Sequence, residues 1–192
     1  MFALLVDSSA AIAQTSEPTV AQANQFITSQ VEQFGRSSCY FVNGRGDSTD
    51  RSESSLIKIG GDRLTIQSSS LAKTREQGTR SADAPVLRRI VASFLLSDVH
   101  VSLTDSQLTN DHQCAFRSGI QFSCPSDSPC VTVTDLVGLT EDGQQQQGIT
   151  EKHERSSSGA SLAINDEAMA GRILAAVNFY KTHLPASSAS PF

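Results

Sequence analysis

The 192-residue chain has no tryptophan, only two tyrosines, and charged residues at just 18% of its positions. No run of about 18 apolar residues occurs anywhere, which excludes a membrane-spanning helix. There is no excess of basic charge: 15 Lys and Arg stand against 20 Asp and Glu, for a net charge of −5. General nucleic-acid binding, which rests on neutralising phosphates, is therefore not expected. Four cysteines are too few for a disulfide-dense mini-scaffold, and with no tryptophan they do not suggest a large cofactor enzyme. Gly-x-Ser-x-Gly, His-Glu-x-x-His, a phosphate-cradling glycine loop and a dinucleotide fingerprint are all absent. What fills the gap is serine, 29 residues of it, concentrated at 48–55, 68–70, 156–161 and in the last eight residues. The length suits one ordinary domain.

The first residues carry a short apolar run, Phe2 to Val6, and a small-x-small triplet, Ala11-Ile12-Ala13. That pairing has the form of a signal-peptidase site. Residues 1–18 are read as the remnant of a secretory signal and its lead-in, although Asp7 interrupts the apolar stretch and no basic residue precedes it. An even cysteine count in an exported chain favours disulfides. Cys124 and Cys130 enclose Pro-Ser-Asp-Ser-Pro, a turn-forming stretch that can bring two sulfurs together. Cys39 and Cys114 are left for a second bond, although three pairings are possible and free thiols are the next reading. A zinc site from His112, Cys114, Cys124 and Cys130 would lack the close Cys-x2–4-Cys pair such sites normally contain, so no metal and no cofactor are expected.

Val20, Ala23, Phe26, Ile27, Val31 and Phe34 recur at helical spacing between Thr19 and Gly35, predicting an amphipathic helix. Residues 44–54 and 67–85 are polar enough to read as loops around a short hairpin, Leu56–Ile59 and Leu64–Ile66, turned by Gly60-Gly61-Asp62. From Ile90 to Leu103 the pattern alternates and changes parity at Ser97-Asp98, a bend within a long strand. Cys114 to Cys124 reads as a second hairpin with its turn at Ser118-Gly119, Val131 to Leu136 as a further strand, and residues 141–160 as a low-complexity loop. The last element is a helix with Asn165 as its N-cap, acidic residues at its start, Lys181 and His183 at its end, and an apolar stripe from Met169 to Leu184. The domain is thus expected to span 19–184, with a disordered tail over 185–192.

Candidate site residues are sparse. Residues 51–100 carry eight basic and five acidic side chains, and Lys73, Arg75, Arg80, Arg88 and Arg89 could together face an anion such as a lipid head group. Arg45-Gly46-Asp47 spells an integrin-binding tripeptide, but Gly-Asp is also ordinary turn chemistry. Asp111 beside His112 is the one arrangement that could supply an acid–base pair to a small hydrolase. His100, His153 and His183 fall where solvent exposure is expected.

A helix, several short antiparallel strands joined by hairpins, and a long C-terminal amphipathic helix over Asp166–Leu184 together resemble a pleckstrin-homology-like domain, in which a bent sheet is plugged by the terminal helix. The chain is also similar to small exported bacterial proteins that have a cleaved leader and a Cys-bounded turn. The resemblance is one of architecture and implies a binding module for a lipid head group or peptide. Only Lys58 and Arg63 stand where the phosphoinositide-binding members carry a basic cluster. The expectation is an α+β fold, an antiparallel sheet or small barrel, in a secreted or periplasmic protein. It would bind a peptide, protein or lipid without catalysis, the alternative being the Asp111/His112 enzyme. An apolar patch on the N-terminal helix would point instead to a structural role.

Overall fold

A computed structural model describes residues 18–78, 86–105, 118–126, 128–139 and 151–184. The expected leader and tail therefore lie outside the described residues. The fold is α+β: helix α1 (Val20–Phe34), strands β1 (Arg36–Val42), β2 (Ser48–Gly60), β3 (Arg63–Arg75), β4 (Val86–Leu95), β5 (His100–Asp105), β6 (Ser118–Ser123), β7 (Val131–Leu139), β8 (Glu151–Ser157) and β9 (Gly159–Ile164), and helix α2 (Glu167–Thr182).

Both helices begin where side chains can satisfy the free N–H groups of a first turn. Thr19 and Gln22 form a reciprocal capping box on α1. On α2 the cap is Asp166, whose carboxylate accepts from the Met169 N–H at 2.7 Å, and not Asn165. The Asn165 N–H donates instead to the Phe34 carbonyl, so it ties the start of α2 to the end of α1.

All strand pairing is antiparallel, with a six-stranded sheet in the order β1-β2-β3-β4-β7-β8 and a three-stranded sheet in the order β5-β6-β9. The two orders are related. β4 continues into β5 through a single 3-10 turn at Leu96–Asp98, β6 runs into β7 through Cys124–Cys130, and β8 passes into β9 at Ser158. Three neighbouring strands of the larger sheet thus fold over one corner and become the smaller sheet in the same order, as strands do when sheets pack at a steep angle. The bend expected at Ser97-Asp98 is one of these crossings.

The inside of the bend holds the core. Ile57 on β2, Leu64 and Ile66 on β3, and Ala92 and Phe94 on β4 are buried with Ile120 and Phe122 of β6, Leu162 and Ile164 of β9, and the apolar stripes of both helices. Phe94 and Phe122 meet across the two sheets with ring centroids 5.0 Å apart. Fully burying each such ring contributes about 1.5–3 kcal/mol. α2 is also tied to the sheets by polar ends: the Tyr180 hydroxyl donates to the Gly61 carbonyl at 3.1 Å and Lys181 Nζ to the Val99 carbonyl.

Several loops expected from polarity are strands. Residues 48–54 belong to β2 and 67–75 to β3, so the short hairpin around Gly61 is the tip of a ribbon with 13 residues on each side. Ser118 and Gly119 do not turn the chain; they lie inside β6, opposite Asp105 and Thr104 of β5 on one side and Ile164 and Ala163 of β9 on the other. Residues 151–157, within the expected low-complexity loop, form β8 against β7. In each case backbone pairing to an established neighbour, and not apolar alternation, places the strand.

Candidate functional site

Side chains alternate across a strand, so neighbours in sequence face opposite sides of the sheet. Ile90, Ala92 and Phe94 of β4 face the helices, and Arg88 shares their parity. Arg89 shares the parity of Leu87, Val91 and Ser93, and faces away from the core. This splits the expected basic cluster. Arg88 binds Asp135 of β7 through both carboxylate oxygens, its Nε lying 3.0 Å from Oδ1. That pairing holds the Asp135 carboxyl below the usual carboxylate range, with His153 and Arg155 on β8 acting in the same direction. Arg89, Lys73 and Arg75 lie on the outer face, Lys73 opposite Asp50 and Arg75 opposite Ser48 on β2. Arg80 lies outside the described residues. The four described residues therefore do not share one face, since Arg88 is turned to the opposite side from Lys73, Arg75 and Arg89.

Arg89 stands between Ser69 of β3 and Leu136 of β7. Its Nε is buried and has no hydrogen-bond partner. Beside it the outer face dips into a depression of about 850 Å³, lined by Leu56, Leu71 and Leu87 and by Ser38, Ser52, Ser54 and Ser69, with Arg36, Ser37, Glu53 and Asn165 at its β1 end. A second hollow of about 580 Å³ continues it toward Tyr40, Asp50 and Lys73. The serines that dominate the composition thus line a surface hollow as well as loops. Among the described residues no helix covers this face, because α1 and α2 both pack inside the bend.

The edges of the larger sheet differ sharply. β8 presents Lys152, His153, Glu154 and Arg155, all exposed, the charged pattern that blunts an edge against further pairing. β1, at the other end, has no charge after Arg36. It leaves Tyr40 63% and Val42 50% exposed, and among the described residues it pairs only with β2. A third surface feature is a groove of about 760 Å³ between the helices, lined by Ala23, Phe26, Ala176 and Phe179. Arg172 sits over the Phe26 ring there at 5.2 Å.

The Arg45-Gly46-Asp47 triplet is the turn between β1 and β2. Asn43 Oδ1 accepts from the N–H groups of Arg45 and Asp47, while its amide donates to Asp47 Oδ2 at 2.9 Å. The Gln77 N–H reaches the other carboxylate oxygen at 3.1 Å. These bonds lower the Asp47 pKa and occupy both of its oxygens, one within the turn and one with the chain that follows β3. Gly46 has φ +85°, a left-handed conformation that favours glycine.

Cys124 and Cys130 are disulfide-bonded, with their sulfurs 2.03 Å apart. Cys39 is disulfide-bonded too, and its expected partner Cys114 lies outside the described residues. So do Asp111 and His112, the expected acid–base pair. His100, His153 and His183 are all exposed. No group of three or more His, Cys, Asp or Glu side chains is placed to hold a metal ion among the described residues, and no described helix is long and apolar enough to cross a membrane. No family model, curated protein or solved structure matches the chain.

Sequence reasoning missed the outer hollow and the exposed, uncharged β1 strand. Both depend on the extension of β2 and β3 through Ser-rich sequence, which has no apolar alternation to reveal it. The signal that was available is the adjacency of Arg88 and Arg89 at the end of a strand pattern, which requires one of them to face away from the core.

Proposed function

We propose that the chain is a non-catalytic exported binding domain that holds an extended segment of a partner protein against the exposed Tyr40 and Val42 side chains of β1. The observation that carries this reading is the contrast between the two outermost strands of the larger sheet. β8 is lined with charge, whereas β1 carries none after Arg36 and leaves Tyr40 and Val42 exposed. An extended segment presents alternate side chains to one face, and these give it selectivity. Here those side chains would rest on Tyr40 and in the hollow beside Asp50 and Lys73. The disulfide between Cys124 and Cys130 supports a secreted or periplasmic setting, where such bonds persist. The bent sheet with α2 packed inside it supports a pleckstrin-homology-like reading of the fold.

The test is selection of ten-residue peptides from a random display library, followed by hydrogen exchange on the complex. Selected peptides should slow exchange at the amides of Ser37–Val42, and Tyr40→Lys with Val42→Lys should weaken them at least tenfold. Protection confined to other elements, or binding unchanged in the double variant, would sink the proposal.

A further inference from the structure

We propose a second binding site, centred on β3 and β4 and touching β1 only at its rim, in which Arg89 and the leucine-lined hollow on the outer face hold a carboxylate carried on a hydrocarbon chain, a ligand of the fatty-acid class. The argument begins with an asymmetry between two consecutive arginines. Arg88 has Asp135 as a two-point partner. Arg89 has a buried, unpartnered Nε, and a buried donor left unsatisfied is a standing cost, larger when the group is charged. Its neighbours across the strands on this face are Ser69 and Leu136, and neither can neutralise a guanidinium. The nearest carboxylate on the same face of β8, Glu154, lies beyond β7 and is within 4.0 Å of Lys152. An anion brought by a ligand would satisfy what the described residues leave open.

The surroundings of Arg89 narrow the kind of anion. Leu87 precedes it by two residues on the same face, Leu71 lies opposite Leu87, and Ser69 lies opposite Arg89 itself. These three line the hollow of about 850 Å³, which runs on to Leu56. From β4 to β2 is two strand spacings, roughly 10 Å, the length of a medium acyl chain. The backbone under the hollow is already paired, since β3 bonds β2 on one side and β4 on the other. A peptide laid on this face would find no free main-chain groups for its own amides, which would cost it affinity. A ligand with one anionic end and no other polar group has no such requirement. The serine hydroxyls around the hollow, with Ser69 closest to Arg89, can add a hydrogen bond to the carboxylate.

The experiment is an NMR titration of the full chain with decanoate below its micelle concentration, with decanol and a pentapeptide ending in a free leucine carboxylate as comparison ligands. Decanoate should bind saturably, shift the amides of Ser69, Leu71, Leu87 and Arg89, and bind at least tenfold more tightly than decanol. Arg89→Gln should weaken decanoate at least tenfold, while Arg45→Gln, in the exposed turn far from the hollow, should leave it unchanged. If Arg89→Gln does not fold, the decanoate-to-decanol ratio and the shift map on the unaltered chain decide the matter. No saturable binding, decanol binding as tight as decanoate, shifts centred on the groove of Phe26 and Phe179, or preference for the peptide carboxylate would each overturn the proposal. None of these outcomes decides the partner segment proposed at Tyr40 and Val42, which is read from different amides.

Discussion

Arg88 and Asp135 join β4 to β7 on the helix-facing side of the larger sheet, next to a shift in the register of that pair. A two-point ion pair there compensates for ladder bonds lost at the irregularity. Asp135→Asn should destabilise the protein by about 1 kcal/mol, because the Arg88 side chain is itself largely exposed. The pH dependence follows from the lowered Asp135 pKa. The contribution is complete above the unfolded-chain value of about 3.9 and is lost as pH falls through the lower folded value. Urea denaturation of both proteins at neutral pH and in acid checks this: the difference between them should narrow as pH falls.

Tyr180 gives the opposite limb. Burial, and secondarily the negative charge of Asp62, raise its pKa, and its hydroxyl donates to the Gly61 carbonyl. Tyr180→Phe should cost about 1 kcal/mol near neutrality. Above about pH 10 the unfolded chain releases this proton before the folded one does, so the native protein should lose stability as pH rises. That alkaline loss should be smaller in Tyr180→Phe, measured by denaturation at pH 8 and pH 10.5.

Gly35 ends α1 where the chain turns into β1. A Cβ there would lie 2.5 Å from the Val31 carbonyl oxygen and 3.0 Å from Ser55 Cβ. Val31 and Ser55 are both buried, so neither can move cheaply. Gly35→Ala should therefore destabilise by about 1–3 kcal/mol, read as a lowered urea midpoint with unchanged slope.

Cys124→Ala together with Cys130→Ala opens a short covalent loop, the two residues being six apart in sequence. The chain-entropy model gives about 2 kcal/mol for a loop of that size. For a domain of this length that corresponds to a fall in Tm of roughly 4–8 °C, measurable by calorimetry.

The sequence made the two helices and the tip of the β2–β3 ribbon legible because each carries a local signal. Thr19 and Gln22 cap α1, the apolar stripe Met169-Ile173-Val177-Tyr180 marks α2, and Gly60-Gly61-Asp62 turns the hairpin. Asn165 and Asp166 are both good caps, and the choice between them is made by the bond from the Asn165 N–H to Phe34, a contact from the other end of the chain. The outer half of the ribbon was not legible. From Ser48 to Ser54 and from Ser68 to Arg75 neither face of the strand is consistently apolar, because the core lies under the other half. β8 carries no apolar residue at all, since an exposed edge strand needs none. The candidate sites share this difficulty. An uncharged outer strand, and a buried arginine Nε without a partner, are properties of pairings between distant segments.

One further consequence lies in the corner where the three strands cross between sheets. The 3-10 turn at Leu96–Asp98, the Cys124–Cys130 segment and Ser158 meet there, and the Cys124 N–H bonds directly to the Ser158 carbonyl. Among the described residues the space between the sheets is filled on the opposite side by α1 and α2. The corner is thus a stapled spine, because the Cys124–Cys130 bond closes the loop through which β6 returns to β7. Reducing that bond loosens the joint at which the two sheets meet.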